Sequence, residues 1–223
     1  MPYRKTPFVA GEYFHLVNRG NLKCNIFKDD GDRARFLFYL LYFQSPSSLN
    51  NIGFHVKKFL QTGSFGVNNE ETRAIIADRQ VELNAFSLMA NHFHLLAQSV
   101  VDNGISAYLQ KVLNGYSKYF NARYKQSGHL FGGPFRSVHI KDNEQLLYAS
   151  AYLHLNPREI GFAGKETEYR WSSFGDFIGN NRWGDLLKPE IIMEQMDGPN
   201  PGQVYKKWVE TSGAKENYQT PGV

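Results

Sequence analysis

Val81-Glu82-Leu83-Asn84-Ala85-Phe86-Ser87-Leu88, then Met89-Ala90-Asn91, then His92-Phe93-His94-Leu95-Leu96-Ala97: this stretch decides the fold. Its first run alternates apolar and polar side chains, the two-residue period of a strand with one buried face. Ala90-Asn91 breaks the pattern and the second run resumes it, so the two runs predict an antiparallel hairpin. His92 and His94 stand two apart on the second strand. They therefore leave the same face, while Phe93 points to the other.

Upstream, Glu12 to Val17 is rich in Tyr, Phe, His and Val and reads as a strand ended by Asn18-Arg19-Gly20. Asp30 to Gln44 carries Phe36, Leu37, Leu40, Leu41 and Phe43 at helical spacing, with Asp30 or Asp32 as the expected cap. Ser45-Pro46-Ser47-Ser48 stops that helix. Residues 45 to 80 read as an insertion or small subdomain of unassigned role. It would hold short helices at Val56 to Leu60 and Glu70 to Asp78, with Gly63, Gly66, Asn68 and Asn69 between them.

Downstream, Ile105, Tyr108, Leu109, Val112, Tyr116 and Phe120 mark a long amphipathic helix over residues 104 to 124. Gly132-Gly133-Pro134 punctuates, and Phe135 to Ile140 reads as a strand. A last helix starts at Asp142, with Gln145 reaching back, and runs to Leu155 before Pro157. The order spells the split β-α-β of a ferredoxin-like antiparallel sheet with helices on one face, class α+β, plus one added helix. Residues 161–223 form a C-terminal helical extension to a domain of residues 1–160. Trp171-Ser172-Ser173-Phe174 lies in that extension. Helices are expected near Lys188 to Met196 and Gln203 to Thr211, after an Asp197 to Gly202 linker.

The chain has 223 residues, 42% apolar and 21% charged, which supports a packed core. Its 25 Lys+Arg against 21 Asp+Glu allow a polyanionic partner without requiring one. Cys24 is the one cysteine, so no intrachain disulfide can form and a reducing compartment fits. Met1 to Lys5 lacks the apolar run of a signal peptide, and no segment is apolar enough to span a bilayer. A cytoplasmic protein is expected.

Charge distribution says more than net charge. Gly104 to Lys141 contains no Asp or Glu. It holds Lys111, Lys118, Arg123, Lys125, Arg136 and Lys141, interleaved with Tyr108, Tyr116, Tyr119 and Tyr124. Basic groups contact phosphates and rings stack on unpaired bases, so nucleic acid is the favoured partner over a merely solvated helix face.

Two adjacent imidazoles supply half of a metal site. With 7 His in the chain such a pair also arises by chance, as histidines satisfied within a sheet. Tyr152 and Asn156, four apart, share one face of the last helix. Asn156 offers a hard carbonyl oxygen, and His, His and Asn suit Mg²⁺ or Mn²⁺ better than a closed zinc site. Tyr152 is a candidate nucleophile. A phenol of pKa near ~10 needs activation, which a divalent ion on the phosphate provides. The competing reading of Tyr152 is an aromatic packing helix against sheet.

Taken together these residues resemble the HUH single-tyrosine transposases, both the insertion-sequence 200-like and the REP-associated kinds. Leu88-Met89-Ala90-Asn91-His92-Phe93-His94-Leu95-Leu96 is similar to the signature around the HUH pair, with Ala90 where the family usually has Pro. His15-Leu16-Val17-Asn18-Arg19-Gly20 resembles the first strand. Tyr116-Ser117-Lys118-Tyr119-Phe120-Asn121 and Gly128-His129-Leu130-Phe131 resemble the long helix and its following turn. Tyr152-Leu153-His154-Leu155-Asn156-Pro157 resembles the nucleophile helix, and Trp171-Ser172-Ser173 the C-terminal segment. Gly132-Gly133-Pro134 stands where the family often has a polar or basic residue.

The resemblance implies a strand transferase that cuts and rejoins single-stranded DNA at hairpins through a 5′-phosphotyrosine. His92, His94 and Asn156 would hold Mg²⁺ or Mn²⁺, and Tyr152 would attack. Arg19, Lys111, Lys118, Arg123, Lys125, Arg136 and Lys141 form the expected DNA-binding set, and the protein would act as a monomer or homodimer. Tyr148, one turn before Tyr152, is the rival nucleophile. His154 is expected to face away. The alternatives are a hairpin-DNA binder that has lost the reaction, and a ferredoxin-like metal hydrolase acting on another phosphate.

Overall fold

The structure is a computed structural model in which residues 7–46, 51–65 and 69–219 are described. The readings at Met1 to Lys5, Ser47, Ser48, Gly66 and Asn68 lie outside those residues. Four strands, β1 (Tyr13–Arg19), β2 (Val81–Leu88), β3 (His92–Ser99) and β4 (Arg136–Ile140), pair antiparallel in the order β2-β3-β1-β4. This is the expected ferredoxin-like arrangement.

The expected alternation holds on β3. Phe93, Leu95 and Ala97 enter one apolar cluster and Leu96 the other. On β2 it breaks once. Leu83 pairs with Ala97, but Ala85 pairs with Leu96, so Asn84 is the extra residue of a bulge. The bulge moves the apolar set from the odd positions Val81 and Leu83 to the even positions Phe86 and Leu88 on one face.

Helices α1 (Asp30–Tyr42) and α4 (Gly104–Tyr124) cover that face. Asp29, rather than Asp30 or Asp32, caps α1, accepting from the Asp32 amide at 2.9 Å. Asp32 is drawn inward instead and returns a bond to the Lys28 amide at 2.8 Å. Helix α5 (Asn143–Leu155) repeats this pattern: Asp142 accepts from the Gln145 amide, and the Gln145 side chain accepts from the Lys141 amide. In both boxes the returning bond lands one residue ahead of the cap.

The insertion is not a detached subdomain. Its helices α2 (Ile52–Thr62) and α3 (Asn69–Ala77) bury Val56, Phe59 and Ile75 in the first cluster. Phe59 and Phe65 pack on Trp183, with ring centres 5.5 and 5.1 Å apart. The C-terminal residues thus hold the insertion in place.

The opposite face of the sheet is covered by α5 and by α6 (Phe174–Ile178), α7 (Glu190–Met193) and α8 (Pro201–Thr211), followed by α9 (Ala214–Asn217). Asn200 caps α8 and Pro201 is its first residue, so the expected linker ends two residues early. Trp171-Ser172-Ser173 runs along the outer edge of β2. The Leu88 amide donates to Trp171 O and the Ser173 amide to Phe86 O, both at 2.9 Å, and the Lys188 amide donates to Leu83 O at 2.8 Å. An edge strand with free amides would pair with another chain, and this segment covers it.

Candidate active site

β3 brings His92 and His94 to the α5 face, and β1 brings His15 to the same face beside them. Their position follows from parity: His15 and Val17 share a face on β1, and Val17 lies opposite His94. The His92 and His94 rings are 5.1 Å apart and nearly perpendicular. Helix α5 passes beneath and presents Tyr152, whose ring centre is 5.6 Å from that of His94. One turn on, at the C-terminal cap of α5, lies Asn156, 1% exposed.

The Asn91 amide nitrogen donates to Lys23 O at 3.2 Å, which turns the Asn91 oxygen towards His92 Nδ1, 2.7 Å away. An oxygen can only accept there, so His92 carries its proton on Nδ1 and has a lone pair on Nε2. Asn156 Nδ2 donates to Tyr152 O at 3.0 Å, and its Oδ1 accepts from Lys215 Nζ at 3.0 Å. His94 Nε2 is buried with no hydrogen-bond partner. His94 Nδ1 lies 2.9 Å from His15 Nε2, and His15 Nδ1 lies 3.1 Å from the Tyr218 hydroxyl.

The site is buried and its histidines are neutral. Burial pushes His15 down to about 3, and burial, with Arg19 second, pushes His92 down to about 4. His94 is held well below its usual value by burial and then by the neighbouring His15. A neutral imidazole is the form that binds a cation. Among the described residues no group of three or more His, Cys, Asp or Glu forms a metal site. The available set is therefore two imidazoles and one amide oxygen, and the orphaned His94 Nε2 fits a cation.

Lys215, on α9, is the unexpected resident. Its ammonium sits 4.2 Å above the Tyr152 ring centre and donates to both Asn156 Oδ1 and Glu159, the latter at 2.7 Å. Sequence reading missed His15, Asn91, Lys215 and Tyr218. Lys215 and Tyr218 lie more than 50 residues beyond Asn156, and only packing brings them in. His15 had a signal, because it stands on the first strand two positions from Val17 and shares its face.

The rival Tyr148 packs on Trp208 of α8, 5.3 Å between ring centres, and borders a separate cleft with Asp142 and Asn217. His154 faces away as expected. It bonds Tyr205 and Ser173, each at 2.8 Å, and stacks on Phe174.

The basic residues divide. Arg19 pairs with His92 across the strands and, with Arg136, borders a cleft of about 280 Å³ floored by Gly132 and Gly133. An adjoining cleft of about 520 Å³ runs to Ser117 and His129. Lys118, Lys125 and Lys141 are exposed. Arg123 instead spans Asp29 and Asp32 at 2.6 and 2.7 Å, and Lys111 donates to Pro46 O at 2.9 Å. Both of these face inward to α1 and the turn after it.

Among the described residues no helix is long and apolar enough to cross a membrane. No curated protein matches the chain. Among solved structures, one described as "Structure of the REP associates tyrosine transposase bound to a REP hairpin" is similar at 13% identity, over 90% of this chain and 96% of that chain, with a TM-score of 0.52. That likeness shows the fold. Residues 66–156 match the family model described as "Transposase IS200 like". The segment from the insertion through β2, β3, α4, β4 and α5, which carries the His pair, Tyr152 and Asn156, is therefore the part of this chain that is similar to the IS200-like transposases.

Proposed function

We propose that the chain cuts and rejoins single-stranded DNA at hairpin ends through a covalent tyrosine intermediate, residues 1–160 supplying the catalytic domain and 161–223 its extension. The observation that carries this reading is the convergence of Tyr152, Asn156, His92 and the orphaned His94 Nε2 on one face of the sheet. His92, His94 and Asn156 would hold Mg²⁺ or Mn²⁺. The ion would offset charge that develops on the phosphate.

The Tyr152 oxygen attacks phosphorus, the Tyr152 O–P bond forms and the P–O3′ bond breaks. The phenol proton leaves to solvent and the departing 3′ oxygen takes one up. The products are a 5′-phosphotyrosine and a free 3′-OH, and attack by another 3′-OH reverses the sequence. No bond energy is lost, so no nucleotide cofactor is needed. Arg19, beside His92, and Arg136 border one cleft and would bind the phosphates that flank the cut, with Lys118, Lys125 and Lys141 as further contacts. The neighbouring structure's bound REP hairpin supports a hairpin substrate.

The test is incubation with hairpin-bearing single-stranded DNA and Mn²⁺, followed by denaturing gels. A covalent adduct is expected, lost in Tyr152→Phe and kept in Tyr148→Phe. No adduct, where a known relative forms one, defeats the reading. One observation favours the binder alternative: Lys215 already holds the Asn156 oxygen. Intact hairpin affinity with no Mn²⁺ binding would select it.

A further inference from the structure

His15 is fully buried and stands between His94 and Tyr218, and no step of the proposed reaction uses it. Its two bonds can be ordered in only two ways. In the first, His94 Nδ1–H donates to His15 Nε2, and His15 must then carry its proton on Nδ1 and donate to the Tyr218 oxygen. His94 Nε2 is left with a bare lone pair. In the second, the Tyr218 hydroxyl donates to His15 Nδ1, and His15 Nε2–H donates to His94 Nδ1. His94 then carries its proton on Nε2, a buried N–H with no acceptor among the described residues. A cation can be accepted only in the first order.

We propose that His15 and Tyr218 are positioning residues that fix the tautomer of His94 and so aim its Nε2 lone pair at the cation site. This rests on the reading that His92 and His94 bind a divalent ion. The other ligand follows the same logic, since Asn91 fixes His92 with Nε2 bare. The two ligands are thus set by separate partners, one local in sequence and one 203 residues from His15. The outer partner lies on the C-terminal tail, three residues after Lys215, so one short segment both orients His94 and holds the Asn156 oxygen. Metal-bound histidines commonly donate their second nitrogen to a carboxylate or carbonyl. Here a second imidazole and a phenol take that part.

The experiment uses the full chain. Long-range ¹H–¹⁵N spectra of the imidazoles, without metal, report the tautomer of His94. Mn²⁺ affinity is then measured by electron paramagnetic resonance for the wild type, Tyr218→Phe, His15→Leu and His15→Gln. We expect an Nδ1–H tautomer for wild-type His94. Tyr218→Phe and His15→Leu should weaken Mn²⁺ binding about 10-fold or more, whereas His15→Gln, whose amide oxygen can still accept from His94, should stay within a few fold. Hairpin affinity in chelator should not move. An Nε2–H tautomer in the wild type, or equal Mn²⁺ affinity across all four proteins, overturns the proposal. If the wild type binds no Mn²⁺, the metal reading of the site fails, and the wild-type spectrum alone still decides the tautomer. If a variant fails to fold, the same spectrum decides.

Discussion

Replacing Arg123 with Met separates two roles that the basic run 104–141 cannot separate by itself. Arg123 lies on α4 and reaches α1. One nitrogen bonds Asp32 at 2.7 Å, and the other bonds Asp29 at 2.6 Å. Asp32 is fully buried, whereas Arg123 is about one-third exposed. Removing the partner of a buried carboxylate costs about 3–5 kcal/mol when the charge is left uncompensated. Asp32 keeps three donors, the Lys28 amide at 2.8 Å, Tyr124 at 2.8 Å and Tyr119 at 3.2 Å. Water also screens the outer half of the pair. The expected loss is therefore about 2–3 kcal/mol, at and below the bottom of that range. Met keeps the aliphatic stem but removes the guanidinium, whose carbon lies 5.3 Å from the Tyr124 ring centre. Urea denaturation should show a lower midpoint at unchanged slope, and Asp32→Asn together with Arg123→Met should cost less than the two single losses summed. Hairpin affinity of the folded protein should hold within about twofold, and its salt dependence should be unchanged. An unchanged midpoint with weakened, less salt-dependent DNA binding would refute this reasoning and make Arg123 a phosphate contact.

Other consequences follow from the same geometry. Arg136→Met, at the cleft shared with Arg19, should weaken hairpin binding and reduce the salt slope by about one, read from binding isotherms at several salt concentrations; an unchanged slope removes it from the interface. Lys215→Met should tighten Mn²⁺ binding about tenfold, because a cation no longer competes for Asn156 Oδ1, and equal or weaker affinity would show that Lys215 does not compete. His154 is buried and neutral, pushed down to about 3, below its unfolded value near ~6.5. Its folded pKa is the depressed one, so its stability contribution is complete above about pH 6.5 and is lost as pH falls towards about 3. His154→Gln should flatten the fall of Tm over that acid range, and an unaltered slope would contradict its neutral burial. Trp183→Ala should cost about 3–5 kcal/mol by thermal unfolding, since Trp183 joins the insertion to the core; a loss below about 1 kcal/mol would mean the insertion is not anchored there.

Some expectations drawn from neighbouring residues did not survive folding. The run without Asp or Glu is not acid-free in space, because α1 brings Asp29 and Asp32 against Arg123. Lys111 likewise turns to carbonyls of the turn after α1. Charge counted along a chain reports local composition, whereas a salt bridge depends on which helices pack. The cap of α1 moved by one residue to Asp29 because Asp32 is drawn into the same network.

The sequence by itself determined the hairpin around His92-Phe93-His94, the four strands and the long helices, because side-chain period is a local property of strands and helices. It also determined that His92 and His94 share a face and that Tyr152 and Asn156 share a face, since both follow from backbone pitch. The tertiary structure decided that these two faces meet. It decided that the insertion is pinned by Trp183, and that the Trp171-Ser172-Ser173 segment covers the β2 edge. It alone brought His15, Lys215 and Tyr218 to the site. Those residues come from the first strand and the last turns of the chain. No sequence period connects them, and only burial of both faces of one sheet draws the two ends together.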